Sequence, residues 1–129
     1  MKKRIFIVDD ESDTSLTLKV ILENYNYIVD CFDDPIVALK NFKSGLYDLL
    51  ILDIFMSQIS GIKLYQEIRK IDQRVKVCFL TAGRMDLSGL VNVSGDSDGS
   101  IIIPKPIANK ELVKTVDAII NSRYLTCGY

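Results

Sequence analysis

The chain of 129 residues is predicted to fold as one α/β domain, a five-stranded parallel sheet doubly wound with helices. Two observations predict this. Four short runs, "IFIV" (5–8), "LLIL" (49–52), "VCFL" (77–80) and "III" (101–103), are apolar at every position, as strands buried on both faces are. Between them lie segments whose apolar residues recur every three or four positions, the period of an amphipathic helix.

Each element follows in order along the chain. After the first strand, Leu18, Ile21, Leu22 and Tyr25 share one helix face. A fifth apolar run, "YIVDCF" (27–32), carries Asp30 in its middle and so belongs near a sheet edge. In "DDPIVALKNFKSG" (33–45), Asp34 can cap a short helix, Pro35 suits its first position and Gly45 can close it. After the third strand, Leu64, Ile68 and Ile71 mark another helix; after the fifth, Leu112, Val116, Ile119 and Ile120 mark the last. The exception is "RMDLSGLVNVSGDSDGS" (84–100), between the fourth and fifth strands. Its three Gly, four Ser and three Asp oppose helix, so the fourth helix of such a fold is expected to be short or degenerate. With neither repeat nor linker, residues 1–129 read as one domain.

Composition excludes several function classes. Lys plus Arg (16) nearly balance Asp plus Glu (17), and no basic cluster exceeds "KKR" at the N-terminus, so no direct nucleic-acid contact is expected. Apolar runs are too short to span a membrane and no signal-peptide pattern opens the chain, which implies a cytoplasmic protein without membrane association. The absence of His removes Ser-His and Cys-His catalysis and His-ligated metals. Cys31, Cys78 and Cys127 are odd in number and widely spaced; Cys31 and Cys78 sit in apolar runs, as small buried hydrophobes in a reducing compartment do.

In parallel α/β sheets ligands bind beyond the carboxyl ends of the strands. There the sequence sets Asp9-Asp10-Glu11, Asp53, Thr81 and Lys105. Singly, each has an ordinary explanation: a helix cap, a turn hydroxyl, a solvated lysine. Together they do not, because adjacent carboxylates facing a third are unfavourable unless a cation neutralises them. Oxygen-only ligands favour Mg²⁺.

The stretches "FIVDDE", "LLILDIFM" with the following Gly61, "FLTA" and "PKP" resemble the response-regulator receiver domain of two-component signalling, the CheY-like superfamily. The likeness implies a flavodoxin-like strand order of 2-1-3-4-5, which suits Pro104 in an edge strand, and a cis peptide between Lys105 and Pro106. It implies a phosphoacceptor at Asp53, with Thr81 and Lys105 contacting the phosphoryl oxygens. It implies Mg²⁺ held by Asp9, Asp10, Asp53 and the Phe55 carbonyl. A sensor histidine kinase or phosphotransfer protein would be the donor, and a further, unidentified protein the downstream partner. Such a domain catalyses its own phosphorylation and is not a turnover enzyme.

Departures from the pattern shape further expectations. Ser57 stands where proline commonly follows the Met of the motif, which is expected to loosen the loop after the third strand without touching the chemistry. Ile102 replaces the usual aromatic switch, so output is expected to run through ordering of 84–100. Phe55 and Gly83, flanking the path of an attacking water, offer no acid or amide, so loss of the phosphoryl group should be slow. Two other readings compete: a pseudo-receiver that binds proteins without phosphorylation, and a phosphatase with an Asp nucleophile. The second lacks an acid after Asp53 to activate water.

Overall fold

A computed structural model describes residues 2–82, 101–105 and 107–121. The segment 84–100, Gly83, the Lys105–Pro106 bond and Cys127 lie outside the described residues. The elements run β1 (Arg4–Val8), α1 (Ser12–Glu23), β2 (Ile28–Phe32), α2 (Pro35–Asn41), β3 (Leu49–Asp53), α3 (Gly61–Ile71), β4 (Lys76–Ala82), β5 (Ile101–Lys105) and α4 (Asn109–Asn121).

All strand pairs are parallel, in the order β2-β1-β3-β4-β5, as expected. Successive side chains of a strand face opposite sides, so each central strand feeds two cores. Ile5, Ile7, Leu49 and Ile51 pack on one side with Leu18 and Leu22 of α1 and Leu112, Val116 and Ile119 of α4. Phe6, Val8, Leu50 and Leu52 pack on the other with Ala38 of α2 and Leu64, Tyr65 and Ile68 of α3. This is the physical reason the central runs show no polar alternation. At the edges the rule relaxes. Pro104 is exposed in β5, where its missing N–H breaks no ladder. Asp30 in β2 accepts from Tyr47 Oη at 2.7 Å and Arg4 Nε at 3.2 Å.

Three local expectations need correction. Tyr25 does not join the buried face of α1, because the helix ends before it in a Schellman turn: Tyr27 N–H donates to Leu22 O, Asn26 N–H to Glu23 O, and Asn26 is left-handed at φ 72°. Ile71, in the last turn of α3, is likewise exposed. Gly45 does not close α2. That helix stops at Asn41, where extended Phe42 sends its ring into the core, and Gly45 (φ 80°) serves a separate turn whose N–H donates to Asp72 Oδ2 at 2.9 Å. The Asp34 cap is present, accepting from Ile36 N–H at 2.8 Å and Val37 N–H at 3.2 Å, with Pro35 in the first turn. Among the described residues no helix is long and apolar enough to cross a membrane.

Candidate functional site

The carboxyl ends of β1, β3, β4 and β5 gather on one rim because the strands are parallel and in register. β1 ends at Val8, and Asp9 follows beside β2 with its N–H on Phe32 O at 3.1 Å. The Asp9 side chain is fully buried, and Oδ1 accepts Glu11 N–H at 2.9 Å in the turn that opens α1. Asp53 is the last residue of β3, opposite Leu80, and only 4% exposed. Lys105 closes β5 opposite Ala82.

The ammonium of Lys105 is the centre of the cluster. Its Nζ lies 2.9 Å from Asp9 Oδ2, 3.0 Å from Glu11 Oε1 and 3.5 Å from Asp53 Oδ2. Burial works to lower its pKa, but the bonds to Asp9 and Glu11 and the charge of Asp53 outweigh it and hold the ammonium above the ordinary lysine range. Asp53 shows the opposite imbalance. Burial first, then the Asp9 charge, push its carboxyl up to about 7, with Lys105 pulling the other way. One ammonium does not neutralise this many acids.

The donor set fits a hard divalent cation. Asp9, Asp10 and Asp53 each offer a carboxylate oxygen, all within 4.8 Å of one another, and the first and last are buried. Oxygen-only donors around a deficit of positive charge suit Mg²⁺ better than softer metals. Phe55, the fourth residue expected here, is about half exposed on the loop after β3, its N–H 3.4 Å from Asp53 Oδ1.

Thr81 is buried in β4, and among the described residues its Oγ1 has no hydrogen-bond partner. A buried hydroxyl left unpaired costs free energy and asks for a reason. It lies at the rim, one residue beyond the Leu80 that faces Asp53.

Three residues named from the sequence make contacts there that it did not announce. Glu11 was visible in "DDE", but its bond to Lys105 spans 94 residues and no local signal announces it. Gly61 starts α3 where its N–H donates to Ile54 O at 2.8 Å, and a Cβ there would meet Asp53 O at 2.2 Å; only glycine permits that approach. Ser57 corrects an expectation. The loop is not simply loosened there: the Ser57 main-chain N–H donates to Asp10 Oδ2 at 3.0 Å and ties the loop to the acid cluster.

Comparison with known proteins gives a consistent answer. Residues 5–117 match the family model described as the response regulator receiver domain. The transcriptional regulatory protein CpxR homolog of Haemophilus influenzae is 29% identical over 91% of this chain and 50% of its own. The response regulator receiver protein CpdR of Brucella abortus is 28% identical over 92% of this chain and 97% of its own. Among solved structures, response regulator protein TrrA from Thermotoga maritima, in complex with Mg(2+)-BeF, superposes with a TM-score of 0.75 at 34% identity, over 91% of this chain and 98% of that one. The chain spans about half the length of the first curated relatives it matches.

Proposed function

Because the chain belongs to the response regulator receiver domain family, a class of signalling modules and not of metabolic enzymes, we propose that it accepts a phosphoryl group on Asp53 in a Mg²⁺-dependent reaction. The observation that carries this reading is the placement of Lys105 Nζ between Asp9 and Asp53 within a three-carboxylate cluster.

Asp9, Asp10, Asp53 and the Phe55 carbonyl would hold the ion, which when bound supplies charge neutralisation between an anionic acceptor and an anionic donor. A carboxylate oxygen of Asp53 attacks phosphorus; the new O–P bond forms as the bond to the donor's leaving atom breaks, and the leaving group keeps that electron pair. Lys105, already 3.5 Å from Asp53 Oδ2, offers its ammonium to the phosphoryl oxygens, and the Thr81 hydroxyl, without a partner among the described residues, donates to another. The product is an acyl phosphate on Asp53. Phe55 at the rim brings no acid or amide to orient water, which favours slow loss.

The donor would be a sensor histidine kinase or phosphotransfer protein in the cytoplasm. The output would pass to a further protein, with residues 1–129 acting as one receiver unit either alone or joined to another domain. The complex of TrrA with Mg(2+)-BeF supports the choice of ion.

Intact-mass measurement after incubation with acetyl phosphate tests the proposal. One phosphoryl group should be gained with Mg²⁺ and none after chelation, and Asp53→Asn should gain none. Labelling of that variant would place the acceptor elsewhere, and an unlabelled native chain would favour the pseudo-receiver.

A further inference from the structure

Asp10 differs from its two companions in the acid cluster. Asp9 is bonded to Glu11 N–H and Lys105, and Asp53 faces Lys105, whereas the contact recorded for the Asp10 carboxylate comes from the loop after β3, through Ser57 N–H at 3.0 Å. That loop is anchored at its ends, by Ile54 N–H on Leu80 O at 2.9 Å and Gly61 N–H on Ile54 O at 2.8 Å. Ser57 is the point at which its tip crosses to the β1 side.

We propose that the Ser57 main-chain amide is a positioning group for the cation site: it fixes the Asp10 carboxylate through Oδ2 and couples the conformation of loop 54–60 to occupation by Mg²⁺. This rests on the Mg²⁺ reading above. An aspartate with one oxygen held loses less rotational freedom when the other is engaged, so its ordering is already met before the ion arrives. The same loop carries the Phe55 carbonyl, a further candidate ligand, so one hydrogen bond orders two donors from distant parts of the chain. Linkage makes the effect reciprocal: if the amide bond favours the ion, the ion favours the amide bond by the same factor.

The role belongs to the backbone, which makes the test selective. Ser57→Ala keeps the N–H; Ser57→Pro removes it. Ser57 does not have positive φ, so a prolyl ring meets no left-handed backbone there. Titration of each chain with Mg²⁺ alone, followed by calorimetry, should give S57A an affinity within about twofold of native and S57P one weaker by about three- to tenfold, the scale of the net contribution of one ordinary hydrogen bond. Equal weakening in both variants, or native affinity in S57P, overturns the proposal. A native chain that binds no Mg²⁺ overturns the underlying site as well, so the two failures are distinguishable. If S57P does not fold, amide exchange decides: the Ser57 N–H should exchange more slowly in native protein than in Asp10→Ala, and should slow further as Mg²⁺ is added. Exchange indifferent to both overturns the proposal.

Discussion

Replacing Gly61 by Ala adds a single methyl group where the backbone leaves no room. The new Cβ would lie 2.2 Å from Asp53 O, 2.8 Å from Asp53 C and 3.1 Å from Ile54 Cα, whereas ordinary contact begins at 3.4 Å. About 1 Å of movement must therefore be found in the main chain, since none of the three atoms belongs to a flexible side chain. Overpacking of this kind costs about 1–3 kcal/mol, and rigid neighbours place it in the upper half. Ala offsets less than about 1 kcal/mol of this through helix propensity, because residue 61 opens α3 and is not interior to it. The net loss is about 2 kcal/mol, so at an m value of about 1–2 kcal/mol/M the urea midpoint should fall by about 1–2 M. The displaced residue is Asp53 itself. Misplacement by about 1 Å lowers the labelling rate by about 100-fold. Urea unfolding with phosphoryl labelling at matched folded fraction checks both parts. A stability within about 0.5 kcal/mol of native, the scale of an inert surface change, would refute the close approach of Gly61 to the β3 end.

Asp53→Asn should raise stability by about 1 kcal/mol in Mg²⁺-free buffer while abolishing labelling, because it removes one of the crowded buried acids; a less stable variant would argue against that crowding. Asp72 is buried after α3; burial pushes its carboxyl up, but N–H bonds from Gly45, Arg74 and Val75 outweigh this and hold it below the ordinary 3.8. Its stabilisation is therefore complete above pH 3.8 and lost as pH falls through the lower folded value. Asp72→Asn should cost about 1–3 kcal/mol at pH 7 and lose less than native between pH 4 and 2; parallel acid limbs in urea titrations would contradict this. Burial pushes the Cys78 thiol up to about 12, so iodoacetamide should reach it only after unfolding, while half-buried Cys31 reacts before it; peptide mapping that finds Cys78 alkylated in native protein would overturn its burial.

Much of this molecule was legible in the chain because its physics is local. A strand buried on both faces must be apolar at every position, so 5–8, 49–52 and 77–80 announce a parallel sheet, and the first polar residue beyond each run falls on the rim where such sheets bind ligands. Asp9, Asp10, Asp53, Thr81 and Lys105 were therefore found as residues, and the family with them. What the chain did not disclose was who touches whom. Where α1 stops depends on Asn26 turning left-handed, and where α2 stops depends on Phe42 finding the core. Glu11 meets Lys105 across 94 residues, and the Ser57 amide meets Asp10 across 47. A backbone N–H carries no signature of residue type, so Ser57 looked like a mere loss of proline until the sheet brought the loop to the acid. Gly61 was readable as glycine, but the 2.2 Å that forbids any other residue exists only after β3 and α3 have packed. Residue identity sets which chemistry is available; the parallel register of four distant strands decides which of those groups share a field of a few ångströms, and that register is a property of the whole core.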